Sequence, residues 1–182
     1  MYPEFLSVFR QYIDDYSGHI LWYCGQHVIL WTRNTGGRWK LINAQDTPRA
    51  QYEAKDVLSF KGADTSSIVH RADVAESVGG WDEHCYWLED WDFFARICLA
   101  FPSQVLWVPE VLYEYRQVHG ESPDGICAEA RENPEVEYHG RQYLLDKWRS
   151  QLTVSGIRKL DRPVSDLLKL RVLPQQTGMS TG

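Results

Sequence analysis

The sequence predicts an α/β fold, on three observations. Segments whose apolar residues recur at helical spacing alternate along the chain with short runs rich in β-branched and aromatic residues. The 182 residues are enough for one domain with its own core. Apolar residues make up 43% and charged residues 24%, values of a globular chain rather than a disordered or fibrous one.

The elements follow in order. Pro3 sits where a helix accepts a first-turn proline, and Phe5, Leu6, Phe9, Ile13 and Tyr16 then share one face until Gly18 stops the helix. His19–Trp31 (HILWYCGQHVILW) reads as one long strand or two short ones, Arg33–Arg38 as a turn, and Arg38–Asn43 as a returning strand. A loop with Pro48 and a short helix around Gln51–Leu58 come next, then a short buried strand at Asp64–His70. A brief helix at Arg71–Val78 ends at Gly79-Gly80, and a longer one runs from Glu89 to Ala100. Gln104–Arg116 reads as two short strands broken at Pro109. Glu121–Gly125 is a loop, and Glu135–Ser150 a helix. Residues 1–152 form the expected domain; 153–182 read as a tail with one weakly helical segment, Val164–Leu173, and a disordered polar end.

Composition excludes some functions. A formal net charge of −6 argues against a nucleic-acid partner, which calls for a basic patch. No apolar run is long enough to span a bilayer, and the N-terminus lacks the basic-then-apolar layout of a signal peptide. Cys24, Cys85, Cys98 and Cys127 are scattered without a C-x-x-C pair, so they read as reduced thiols rather than a zinc site. The expected location is cytoplasmic, with peripheral membrane contact through the tail left open.

Chemistry concentrates in Gly79–Ile97, GGWDEHCYWLEDWDFFARI. Trp91, Phe94, Ala95 and Cys98 recur at helical spacing and face a core, which leaves Glu89, Asp90 and Asp92 around the first turn. Acids at a helix start are favoured by the macrodipole and by capping. Two consecutive acids flanked by Trp87 and Trp91 exceed what a cap requires. A carboxylate between rings is partly desolvated, and its pKa rises toward that of a general base while the helix dipole pulls it down. Gly79-Gly80 is either a helix stop or a place where the backbone closely approaches something else.

Four separated elements resemble the C-terminal half of the family 2 glycosyltransferases, which have the GT-A fold. They are Ser66-Ser67 with His70-Arg71, Gly79-Gly80-Trp81-Asp82-Glu83, Glu89-Asp90-Trp91-Asp92 with Arg96, and VPEVLYEYRQVH with Pro109, Tyr115, Arg116 and His119. Order and spacing agree over about residues 1–120. The resemblance implies the acceptor-side half of a GT-A-like mixed sheet flanked by helices, and an inverting transfer of sugar from a nucleotide sugar to an acceptor hydroxyl. Asp90 would be the catalytic base and Glu89 would orient the acceptor. Trp81, Trp87 and Trp91 would form a stacking wall, with Asp82 and Glu83 in the turn before it. Arg116 and His119 would lie near the donor diphosphate, with His119 completing a metal shell.

Bland alternatives stand beside these roles: Asp82 as a turn cap, Trp91 as core, Arg116 paired with Glu114 or Glu110, and His119 as a loop histidine. The donor half of that family carries a nucleotide-binding strand and a DxD motif. No DxD precedes the resembling region; Asp14-Asp15 ends a helix, and Asp90–Asp92 belongs to the acceptor motif. A divalent cation, Mn2+ or Mg2+, is therefore expected only if the donor half is supplied. An open sheet edge is expected to drive self-association or to take a partner chain. A second reading is a non-catalytic carbohydrate- or protein-binding remnant. A third is a hydrolase using paired acids or a metal cluster of Asp82, His84, Glu89, Asp90, Asp92 and His119.

Overall fold

The computed structural model describes residues 2–33, 37–119, 133–161 and 163. Its order is α1 (Phe5–Asp15), β1 (Leu21–Arg33), β2 (Trp39–Thr47), α2 (Ala54–Val57), a 3-10 turn (Thr65–Ser67), β3 (Ile68–His70), α3 (Ala72–Ser77), α4 (Glu89–Ala100), β4 (Val105–His119), α5 (Pro134–Trp148) and α6 (Val154–Leu160). The fold is α/β, with a mixed four-stranded sheet flanked by helices.

β1 is the hub of that sheet. It pairs antiparallel with β2 through Gln26–Arg33, antiparallel with β3 through Leu21–Tyr23, and parallel with β4 through Leu21–Thr32. Its first half alternates between two cores, which explains its unbroken apolar sequence. Leu21 and Tyr23 join α4, α5 and α6 on one face, with Phe93, Phe94, Ile97, Leu144, Leu145 and Leu160. Trp22 and Cys24 join Phe5 and Phe9 of α1 on the other, together with Val108 and Leu112 of β4.

Pro109 does not divide β4 into two strands. The register jumps from Cys24↔Val108 to Gly25↔Val111, so Pro109 and Glu110 bulge out without β1 partners and the strand resumes. A bulge tolerates a proline that has no N–H to give to the ladder. The outer edge of β4 is partly covered. The Gln51 amide donates to Val105 O at 2.8 Å and accepts from Trp107 N at 2.8 Å, in place of a neighbouring strand. Tyr2 N donates to Leu112 O at 3.0 Å.

Other expectations shift at their boundaries. β2 is longer than expected, reaching Thr47, and eight of its nine residues are exposed. The strand expected at Asp64–His70 begins with a 3-10 turn and is half-buried. The helix around Gln51–Leu58 shrinks to one turn closed by a Glu53/Asp56 capping box. The packed body extends beyond residue 152: Thr153 Oγ1 accepts from Gly156 N and caps α6, whose Leu160 is fully buried. The loop at Glu121–Gly125, Cys127 and the segment Val164–Leu173 lie outside the described residues. No helix among the described residues is long and apolar enough to cross a membrane.

Candidate functional site

The turn between α3 and α4 is built from its glycines. α3 ends in a Schellman motif, in which Gly79 N donates to Glu76 O at 3.0 Å and Gly80 N donates to Ala75 O at 2.8 Å. Both glycines take positive φ, +84° and +70°, and a Cβ at either would meet nothing within 4 Å. Conformation rather than close approach therefore demands glycine here.

The motif delivers Trp81 onto Phe93, ring centroids 4.3 Å apart and 18° from parallel. Asp82 then closes an Asx turn, its Oδ1 accepting from His84 N at 3.0 Å. The expectation of a capping role for Asp82 is met. Its second oxygen does more, accepting from Tyr143 Oη at 2.7 Å and from Lys147 Nζ at 2.5 Å. Those bonds hold the Asp82 carboxyl well below the usual carboxylate range, Lys147 first and Tyr143 second. The same contact pushes the Tyr143 phenol up to about 12.

Lys147 also bridges to Asp92, whose oxygens lie 2.9 and 3.0 Å from Nζ. Asp92 is fully buried and takes further bonds from Arg96 Nε at 2.9 Å and Trp148 Nε1 at 2.8 Å. Arg96 also donates to Val78 O at 2.5 Å, so the place of the resembling motif's arginine is taken by a tie between α4 and α3. Asp92 is thus the anchor joining α4 to α5. Among the described residues, the members of the metal cluster proposed from sequence do not come together as a ligand set. Asp90 and Asp92, two apart on a helix, point to different sides, and Asp82 and Asp92 are spent on Lys147. Among the described residues no three His, Cys, Asp or Glu side chains gather to hold an ion, so these residues do not fit a metal centre. Cys24, Cys85 and Cys98 are buried free thiols pushed up by burial, to about 11, 12 and 12, and are poor nucleophiles.

Asp90 is different. It occupies the head of α4, where Trp91 N donates to its Oδ1 at 2.7 Å. Burial pushes its carboxyl up to about 6, with the like charges of Glu89 and Asp64 adding to the rise and the Trp91 N–H opposing it. Glu89 beside it is partly exposed. The chain enters this helix through Leu88 in the left-handed region, φ +62° and ψ +31°, a conformation costing a non-glycine residue roughly 1–2 kcal/mol. Phe60, also a non-glycine residue at positive φ, packs on Trp91 with ring centroids 4.7 Å apart.

The three-tryptophan wall is not formed. Trp91 is buried against Phe60 and Trp148, because its position on α4 faces the core. Trp87 is half-buried and pinned beneath α5: a Cβ on Gly140 would lie 2.3 Å from its Cβ, so α5 must carry glycine there. Only Trp81, 42% exposed, offers a ring face. Gly79, Trp81, Asp82, Arg96 and Lys147 line an open groove, and Glu83 and His84 stand exposed on its rim.

Arg116 is exposed and held by Glu114, its Nη2 2.7 Å from Oε2, rather than presented to the head of α4. By strand alternation it lies on the opposite side of β4 from Tyr113, three residues earlier. The side chain of His119 lies outside the described residues.

A second polar cluster escaped the sequence. Asp64 Oδ2 accepts from Arg49 Nη2 and from Tyr113 Oη, each at 2.5 Å. Tyr113 Oη also lies against the Gln26 side-chain amide, and Arg49 donates to Gly62 O. The Asp64 charge is felt at Asp90. Arg49, Asp64, Gln26 and Tyr113 come from the loop before α2, the 3-10 turn, β1 and β4, so no local spacing could have joined them. Comparison with models of known protein families, with curated proteins and with solved structures gave no significant match.

Proposed function

We propose that this chain carries the acceptor side of an inverting sugar-transfer site, with Asp90 as the general base. One observation carries the reading. A single carboxylate at a helix head is desolvated until its pKa stands at about 6, while the neighbouring acids Asp82 and Asp92 are held in ion pairs with Lys147 and Arg96. A base with that pKa is ionised at pH 7 and still holds a proton well enough to remove one from a hydroxyl in the transition state. The resemblance of the surrounding motifs to family 2 glycosyltransferases of the GT-A fold supports the same assignment.

In the proposed reaction the Asp90 carboxylate takes the proton of an acceptor hydroxyl. The hydroxyl oxygen forms a bond to the anomeric carbon of a nucleotide sugar. The bond from that carbon to the diphosphate oxygen breaks, and the nucleotide diphosphate leaves with the electron pair. Glu89 keeps the local field negative and orients the acceptor. Residues binding the nucleotide and any divalent cation on its diphosphate belong to the donor side, supplied by further chain or by a partner.

The test is transfer from labelled nucleotide sugars to oligosaccharides, using the protein with its donor side in place. Asp90→Asn should lower the rate by ~10²-fold or more, and the wild-type rate should rise with pH through about 6 as the carboxylate ionises. Turnover retained in Asp90→Asn removes Asp90 as the base. A non-catalytic binding role is favoured by a different observation: the residues around Trp81 form a ring-and-polar groove whose cations, Lys147 and Arg96, are paired with Asp82 and Asp92. Glycan binding without nucleotide binding, at any supplied donor side, would select that reading.

A further inference from the structure

The hairpin of β1 and β2 differs in charge from the rest of the molecule. From Gln26 to Gln45 it holds Arg33, Arg38 and Lys40 and no acid, in a chain whose formal net charge is −6. The three cations gather at the tip end, where Arg33 is the backbone partner of Trp39 and Thr32 that of Lys40. On β2 the nearest acid is Asp46, six residues beyond Lys40. At ~3.3 Å per residue that is about 20 Å along the strand, more than twice the screening length of ~8 Å at physiological salt. On β4 the acid Glu114 stands opposite His27, equally far from the tip, and is paired with Arg116.

The same end is apolar on one side. Trp31 stands opposite Leu41 and Arg33 opposite Trp39, and paired residues project to the same side. Alternation along β1 adds Ile29. Trp39 is 48% exposed and Leu41 47%, while Trp31 and Ile29 are half-buried. At the register shift between Leu30 and Trp31, Ile42 takes the extra place in β2 and is also exposed. Among the described strands β2 is hydrogen-bonded to β1 alone. Lys40 lies between Trp39 and Leu41 and projects to the opposite side, so an approach by the tip brings rings and cation to a surface together.

This combination suits the boundary of a membrane that carries anionic lipids. Indole rings favour the headgroup level, where the ring is buried and its N–H stays wet. Lysine and arginine near that surface are drawn to anionic headgroups. For nucleic acid, three cations are few and the aliphatic side chains have no use. Pairing of β2 edges between two copies uses backbone groups in the plane of the sheet and leaves the side chains of this face open, so the two contacts are compatible.

We propose that the tip of the β1–β2 hairpin docks on an anionic lipid surface, with Trp39 and Leu41 entering the headgroup layer and Arg38 and Lys40 meeting the lipid headgroups. The contact is peripheral and reversible, and it does not depend on the role given to Asp90.

The experiment is co-flotation of the full chain with vesicles of phosphatidylcholine alone and of equal parts phosphatidylcholine and phosphatidylserine. The mixed vesicles should carry the protein, the neutral ones should not, and raised salt should release it. Arg38→Glu with Lys40→Glu should lower binding by roughly tenfold or more. Both positions are exposed, so circular dichroism should show an unchanged fold. Should that double variant fail to fold, Lys40→Glu alone should lower binding by roughly fivefold. Trp39→Phe should lose part of the blue shift in indole emission that wild type shows on mixed vesicles. Failure of the wild-type chain to float with mixed vesicles overturns the proposal. So does binding that survives the charge reversals, which places the contact elsewhere in the chain. So does binding of single-stranded RNA, dependent on Arg38 and Lys40, in place of vesicles. No sugar donor enters this assay, so its outcome is separate from that of the Asp90→Asn transfer test.

Discussion

Asp90 is held ionised at neutral pH at a cost to stability, and asparagine should relieve it. The folded protein raises this carboxyl from its ordinary 3.8 to about 6, chiefly by burial. A group whose folded pKa lies above its unfolded one stabilises the fold fully at low pH, where it is neutral in both states. That contribution is lost as pH rises from about 4 through about 6. At about 1.4 kcal/mol for each tenfold change in proton affinity, the difference is about 3 kcal/mol as an upper bound. Asparagine is nearly isosteric, stays neutral, and keeps an oxygen for the Trp91 N–H. Asp90→Asn should therefore be more stable than wild type by up to about 3 kcal/mol above pH 6.5, a rise of roughly 6–12 °C in Tm for a domain of this size. The advantage should shrink through pH 5 and vanish below about pH 4. Urea denaturation of both proteins across pH 3.5–8 measures it directly. Equal stability at pH 8, or an advantage that persists at pH 3.5, would refute the desolvation argument on which the base assignment stands.

Other outcomes follow from the packing. Lys147→Met leaves the buried Asp92 and the adjacent Asp82 without their shared cation and should cost about 3–5 kcal/mol by chemical denaturation; a loss below 1 kcal/mol would show that the network is not the anchor described. Gly140→Ala drives a Cβ to 2.3 Å from the Trp87 Cβ and should cost about 1–3 kcal/mol, whereas alanine at an ordinary helical glycine stabilises. The arm of β2 exposes Leu41 and Ile42, each 47% accessible, on an open sheet edge. The protein should self-associate with rising concentration in analytical ultracentrifugation, and Leu41→Glu with Ile42→Glu should reduce this; a wild-type monomer at high concentration would exclude it.

What could be read from the sequence was what depends on near neighbours. Trp91, Phe94, Ala95 and Cys98 mark the buried side of α4 by spacing alone, and the Gly79-Gly80 pair marks the end of α3. The ring-flanked acids pointed to Asp90, although Trp91 turns into the core against Phe60 and Trp148 and Trp87 lies beneath α5. Contacts across the fold could not be anticipated. Lys147 lies 55 residues from Asp92 in the chain, so nothing in the local pattern said that Asp82 and Asp92 would share it. A similar separation in the chain hid Gly140, which decides that Trp87 is a half-buried strut rather than a ring for stacking. Pro109 misled because a proline reads as a break until a partner strand shows that the register steps around it. Thr153 looked like the start of a tail because α6 is short and its cap and its Leu160 act only once Leu58 and the core are beside them.

The central position of β1 has a consequence for how the protein is made. Its parallel partner begins at Val105, 84 residues after Leu21. At a synthesis rate of about 5–20 residues per second, the run LWYCGQHVILW waits on the order of ten seconds for that partner after leaving the ribosome. In that interval it has only the hairpin with β2 and, later, three residues of β3 to satisfy it. Pairing so remote in sequence is slow even in a finished chain, and an apolar, β-prone segment left unpaired is prone to intermolecular association. Yield of soluble protein should therefore depend more on expression temperature and on chaperones that shield β1 than on the stability of the finished fold.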